Sequence, residues 1–295
     1  MSRDHSAYAW EHPRVNAGTL FLVGTPIGNL GDMTDRARQT LAAVDLIAAE
    51  DTRRTGRLMK AVGLDTRLVS FFEGNERQRT EELLGALRAG RDVAVVSDAG
   101  MPGLSDPGFR LVRACAGEGI DVRVVPGPSA AIAALVVSGL PTDRFAFEGF
   151  SPRGAGERRA RLAALAEDPR TLVFYESARR VRSFLRDVLE VVGDRRVAVA
   201  RELTKLHEEV IRGPVSEVLA GLERREPKGE LVVVLEGAPR SEAVDVESLL
   251  PRVRALIAGG ARKREAVGRI AREEGVSANA LYRALLDADA AEARD

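Results

Sequence analysis

A single cysteine, three histidines and four lysines are all that 295 residues contain of these types. Cys115 alone excludes an internal disulfide and fits a reducing, cytoplasmic setting. It lies in the helical pattern "LVRACAGEG" with no histidine nearby in sequence, so it is expected in the core rather than as a nucleophile. His5 and His12 fall in "MSRDHSAYAWEHPRVNAG", which lacks the apolar core of a secretory signal and reads as a loose tail. No run approaches the roughly 18 apolar residues of a membrane span, so no membrane partner is expected. The 44 basic and 44 acidic residues cancel, so any polyanion must be met by local patches. No G-x-x-x-x-G-K-[ST] occurs, which removes the best signal for nucleoside triphosphate hydrolysis. No metal site is expected.

What remains is globular in character: 45% of residues are apolar and 30% charged, over a length that allows two cores and a small third piece. From residue 19, short apolar runs alternate with amphipathic stretches. "TLFLVG" (19–24), "DLIAAE" (45–50), "RLVSFF" (67–72), "DVAVVS" (92–97) and "DVRVVPG" (121–127) read as strands, each followed by a helical pattern. Asp32 or Thr34 can cap the first helix and Asn75 the third, while Gly63 and Gly90 end helices. This alternation predicts an α/β fold with a mostly parallel sheet covered on both faces. The rhythm pauses over 140–170, taken as a domain boundary plus an arginine-rich helix. It then resumes with strands at "TLVFYES", "RRVAVAREL", "HEEVIRG" and "GELVVVLEG". The expected organisation is a tail (1–17), an α/β domain (18–140), a second α/β domain (141–237), and a linker with a small helical module (238–295). In that module "KREAVGRIAREEG-VSANALYRALL" has helix-turn-helix spacing, turning at Gly275 with Ser277 as cap; a packing hairpin has the same pattern.

Ligands of open α/β sheets bind at the carboxyl ends of the strands. Three loops rich in glycine and proline fall there: "GTPIGNLGD" (24–32), "SDAGMPGLSDPG" (97–108) and "PGPSA" (126–130). None has phosphate-cradle spacing, and Pro26 sits where a backbone N–H would be wanted. Close backbone approach combined with Asp98 and Asp106 suits a cation bearing hydroxyl and amine groups. S-adenosylmethionine meets that description. Loops of this composition also occur as plain turns.

These loops, with "FEGF", "LVFYESARR", "ARELTKLHEEVIRG" and "KGELVVVLEG", resemble the tetrapyrrole methylase superfamily over residues 18–237, in the right order. Within it they are most similar to the branch that methylates ribosomal RNA. The resemblance implies two α/β domains with S-adenosylmethionine in the cleft between them. It also implies a homodimer, and 2′-O-methylation of a cytidine in the decoding centre of small-subunit ribosomal RNA or its 30S-type subunit. By motif, Asp98, Asp106, Phe109, Ser129 and Ala130 line the cofactor pocket, with Pro26 and Gly100 nearby. Tyr175, Ala200, Glu202 and Gly229 close it from the second domain. Two departures are visible: Met101 stands where a threonine is expected, and "FFEGNE" lacks histidines found there in the family.

A ring methylase of the same fold and a non-enzymatic nucleic-acid-binding regulator are the rivals. Two arginine clusters, Arg53, Arg54 and Arg57 in "EDTRRTGR" and Arg153, Arg158 and Arg159 in "RGAGERRARL", suit an RNA backbone better than a macrocycle. Either cluster alone could be a solvated face. A proton acceptor for a ribose hydroxyl would come from Glu50, Asp51, Glu176 or Lys205, unless positioning suffices. Lys205 stands out as a lysine in an arginine chain; a salt bridge to Glu202 is its plainer role.

Overall fold

The computed structural model describes residues 17–225, 229–239 and 246–292. The tail up to residue 16, Lys228 and most of the linker lie outside the described residues. Five short apolar strands build the first sheet: β1 (Leu20–Val23), β2 (Leu46–Ala49), β3 (Leu68–Ser70), β4 (Val93–Val96) and β5 (Val122–Val125). Their order is β3-β2-β4-β1-β5 and every pair is parallel. Both β2 and β4 are buried at all four positions, which is why they read as unbroken apolar runs rather than alternating ones. Helices α1 (Asp35–Ala43), α2 (Thr52–Ala61), α3 (Glu76–Arg88), α4 (Phe109–Gly117) and α5 (Ala130–Ser138) connect or follow the strands. Thr34, not Asp32, caps α1, its hydroxyl accepting from the Ala37 N–H at 3.1 Å, a contact worth about 1 kcal/mol. Asn75 makes no side-chain cap on α3; its amide oxygen instead accepts from the Phe72 N–H at 2.8 Å and tightens the preceding turn. Cys115 is buried in the core beneath α4, as its helical pattern implied.

The second sheet holds β6 (Phe145–Phe150), β7 (Thr171–Ser177), β8 (Arg196–Arg201), β9 (Glu209–Pro214) and β10 (Glu230–Leu235), ordered β6-β7-β10-β8-β9. Two expectations change here. The segment 145–150, left without a strand in the sequence pattern, is the edge strand β6. The sheet is mainly antiparallel: only β6 and β7 run together. The chain passes from β7 through α7 (Val181–Val191) to β8 leaving one position empty, and β10 fills it antiparallel to both. One face is covered by α6 (Ala155–Leu165), α7 and α8 (Val215–Arg224) over Leu172, Phe174, Val199 and Val233. The other is covered by α5, whose Ala131, Ala134 and Leu135 pack on Val173, Ala198, Ala200 and Val232. A helix that follows the first sheet therefore closes the core of the second.

Beyond Gly237 the described residues form a separate compact unit. In it α9 (Leu250–Ala258), α10 (Lys263–Glu274) and α11 (Ala278–Glu292) bury Val253, Val267, Ile270, Leu281 and Leu285. Gly275 makes the turn between α10 and α11 at φ +67°, a conformation that favours glycine.

Candidate cofactor and substrate cleft

The first sheet reverses its winding between β1 and β4, so the loops after them open a crevice at their carboxyl ends. Two hydrogen bonds tie these loops together: the Thr25 N–H donates to the Gly100 carbonyl at 2.9 Å, and the Gly100 N–H to the Thr25 carbonyl at 3.1 Å. Gly24 meets Gly127 backbone to backbone; a Cβ on Gly24 would lie 2.6 Å from Gly127 Cα. Met101, unexpected in its loop, lays its sulfur over Gly24. From the second sheet the Lys205 stem crosses Gly28, where a Cβ would sit 2.6 Å from Lys205 Cγ. Glu202 rests on Gly229 in the same way. Ser105, Glu202 and Thr204 are the non-glycine residues held at positive φ among those described, and the first two line the cleft. Strained backbone is thus concentrated where the two sheets face one another.

The cleft encloses a cavity of about 260 Å³. Glu50, Asp98, Asp106, Glu176, Glu202 and Glu230 border it, against the cations Arg54 and Lys205. Both cations are already paired, Arg54 with Asp98 at 3.1 Å and Lys205 Nζ with Glu202 Oε1 at 3.1 Å. The Asp98 N–H donates to Glu50 at 3.1 Å, and Asp98 accepts from the Asp51 N–H at 3.1 Å, so the ends of β2 and β4 are laced together. Burial, together with the nearby Glu50 charge, pushes the Asp106 carboxyl up to about 7. Burial likewise raises Glu50, partly offset by the Asp98 N–H. Burial also raises Tyr175, and the Ala131 backbone and Ser129 side chain beside its hydroxyl counter part of that rise. Ile27, Leu203, Ala200 and Val232 supply the apolar wall.

Of the residues expected to hold the cofactor, Asp98, Gly100, Asp106, Ser129, Ala130, Tyr175, Ala200 and Glu202 border this cavity. Pro26, Phe109 and Gly229 do not; Phe109 opens α4 with its side chain exposed, and Gly229 supports Glu202 from behind. Sequence reasoning missed Leu104, Phe150 and Glu230. Of these, Phe150 stands in the "FEGF" motif and Glu230 follows Gly229, so both lay beside residues that had been singled out.

Two of the expected proton acceptors are otherwise engaged. Asp51 caps α2, accepting from the Arg53 N–H at 2.8 Å and from its guanidinium, which holds the carboxyl down to about 2. Glu176 is fully buried; Oε2 accepts from the Ser151 hydroxyl and pairs with Arg180 at 3.3 Å, and Oε1 accepts from the Ser177 N–H at 2.9 Å. Arg180 also donates to the Ser151 and Pro152 carbonyls, so this cluster fixes the loop after β6. The arginines divide as well. Arg53, Arg57 and Arg153 are exposed, and Arg54 is half-exposed at the cavity. Arg158 is a correction: it is 6% exposed and donates to Asp187 at 2.7 Å, leaving no free guanidinium for RNA. Arg159 pairs with both Asp187 and Glu190. Burial would raise Asp187, but hydrogen bonds from Arg159 and Arg158 prevail and lower it.

Residues 19–219 match the family described as Tetrapyrrole (Corrin/Porphyrin) Methylases. The chain belongs to the tetrapyrrole methylase family. It is similar to the Ribosomal RNA small subunit methyltransferase I of Thermotoga maritima, with 54% identity covering 75% of this chain and 99% of that one. The protein of the same name from Escherichia coli O157:H7 is 46% identical, covering 92% of this chain and 95% of that one. Among solved structures, a uroporphyrin-III-C-methyltransferase from Thermus thermophilus aligns with a TM-score of 0.54 and 26% identity, covering 74% and 94% of the two chains.

The cleft of this tetrapyrrole methylase fits S-adenosylmethionine by its donor set. Its carboxylates outnumber cations that are already paired, so a sulfonium and an ammonium are favoured and a phosphate is not. Tyr175, Ser129 and the backbone around Gly100 offer neutral hydrogen-bonding groups for hydroxyls.

Proposed function

We propose that this chain transfers a methyl group from S-adenosylmethionine to small-subunit ribosomal RNA, at the ribose 2′-hydroxyl of a cytidine in the decoding centre. The observation that carries the reading is one acidic cavity lined from both sheets, beside exposed arginines of α2 and of the loop after β6. Relatives at 46–54% identity bear the ribosomal RNA name, whereas the ring methylase of known structure is 26% identical.

When bound, S-adenosylmethionine supplies an electrophilic methyl on a sulfonium. Asp106, Ser129, Ala130, Tyr175 and Glu202 would hold it, and the ionised form of Asp106 would balance its charge. The exposed Arg57 and Arg153 bind phosphates and set the register of the RNA, while Arg53 and Arg54 are held by Asp51 and Asp98. Most of the rate would come from holding the ribose hydroxyl in one position at the cavity. Glu50 takes the hydroxyl proton: it borders the cavity, is half-buried, and burial raises its pKa, which makes it a stronger base. Lys205, 41% exposed and paired with Glu202, holds Glu202 and the 24–32 loop.

The enzyme works as a cytoplasmic homodimer. Ile132 and Val136, one turn apart on α5, are exposed apolar residues suited to contact with a second copy, and Val124 is exposed on the edge strand β5. Among the described residues, no helix is long and apolar enough to cross a membrane. Mapping methylated nucleotides in small-subunit RNA from cells with and without the gene tests the reading. One 2′-O-methylcytidine should vanish from the decoding centre in the mutant; an unchanged map overturns it.

A further inference from the structure

β6 contains a bulge whose consequence is a solvent-facing aromatic ring at the cavity. Phe145 pairs with Thr171 and Phe147 with Val173, but Gly149 pairs with Phe174 and Phe150 with Tyr175, so Glu148 is an inserted residue. In a regular strand, positions 147 and 150 would face opposite sides of the sheet. The bulge turns Phe150 onto the cleft side, re-aiming one side chain as such insertions do. The ring contacts show it. Phe147 and Phe150 both meet Tyr175, with centroids 5.0 Å and 5.4 Å apart.

The bulge is held in place from the other sheet. Gly149 has φ +65°, and a Cβ there would lie 2.9 Å from the Ser105 hydroxyl, so the 97–108 loop seats directly on it. The Glu148 carboxylate accepts from Arg161 Nε at 2.9 Å, anchoring the inserted residue to α6. Phe150 is thereby backed by Tyr175 while remaining 56% exposed. Leu104, also exposed, borders the cavity with it, and Arg153 stands exposed three residues further along the chain. A rigid ring with an open face, combined with a guanidinium group, recognises one chemistry: a flat base on an anionic backbone.

We propose that Phe150 is the platform on which the base of the target nucleotide stacks once it is turned out of its RNA helix, delivering its ribose to the cavity. The proposal rests on the ribosomal RNA reading above. It makes Phe150 a substrate-positioning residue and leaves cofactor binding to the loops.

The test uses the full chain with small ribosomal subunits from cells lacking the modification, and measures methyl transfer alongside S-adenosylmethionine affinity by calorimetry. Loss of base stacking should lower kcat/KM for subunits by about 5- to 150-fold in Phe150→Ala. Phe150→Leu, which keeps apolar bulk, should lose nearly as much, and S-adenosylmethionine affinity should be unchanged in both. Phe150→Trp should retain transfer, and the fluorescence of its added indole, measured against the wild-type background, should be quenched by subunits. Wild-type kcat/KM in Phe150→Ala overturns the platform. A matching loss of S-adenosylmethionine affinity also overturns it and assigns the ring to the cofactor. No transfer by the wild-type chain would instead overturn the ribosomal RNA reading, and the platform with it.

Discussion

Asp106 shows what burial does to a single residue in this cleft. Its carboxyl titrates near 7, first because it is buried and next because Glu50 is close. A raised carboxylate binds its proton more tightly in the folded chain than in the unfolded one. Its contribution to stability is therefore complete below about pH 4 and is lost as pH rises through 7. A cationic ligand reverses the preference and draws the proton off. S-adenosylmethionine affinity should accordingly rise between pH 6 and 8, and calorimetry at pH 6 in buffers of different ionisation enthalpy should detect proton release. Asp106→Asn should abolish both; proton release that persists in this variant would remove Asp106 from the cofactor site. The proposed acid–base roles separate in the same assay. Glu50→Gln should lower turnover by about 100-fold or more, while Lys205→Arg, which keeps the Glu202 pair, should stay near normal. At this scale the sequence was legible where a loop supplied the chemistry, as with Asp98 and Asp106. It was not legible for Glu176, because the Ser151 and Arg180 that occupy it come together only when β6 and β7 pair.

Elements followed a similar divide. The buried runs of β2 and β4 and the helical patterns between them announced a parallel sheet, since local pattern and burial agree there. β6 escaped because Glu148 and Gly149 break its two-residue alternation, and the reversal of β10 depends on long-range pairing that no local pattern encodes. The arginine-rich helix α6 shows the same limit: its face towards α7 buries Arg158 against Asp187, although the sequence shows only charge. Removing one partner of a buried pair leaves the other uncompensated, so Arg158→Ala should cost about 3 kcal/mol in denaturant unfolding and leave the salt dependence of RNA binding unaltered. Arg153→Ala should do the reverse, sparing stability and lowering the salt slope by about 1. A salt slope that falls with Arg158→Ala would return that residue to the RNA surface.

At the scale of the molecule, the proposed catalytic cleft lies within residues 17–237, where α5 joins the two sheets into one core. The Thermotoga maritima relative matches 75% of this chain with 99% of its own length, so it lacks a counterpart to about a quarter of it. A chain ending at residue 237 should therefore fold and bind S-adenosylmethionine normally. Its kcat/KM for ribosomal subunits should fall through a higher KM, if the C-terminal helices grip RNA; an unchanged KM would make them a packing hairpin. The central claim concerns what receives the methyl group. Purified chain, S-adenosylmethionine labelled in its methyl group and small ribosomal subunits lacking the modification should together yield labelled RNA, digested afterwards to nucleosides. Label is expected in 2′-O-methylcytidine alone, and label in a base-methylated nucleoside, or none in RNA, would contradict ribose methylation by this chain.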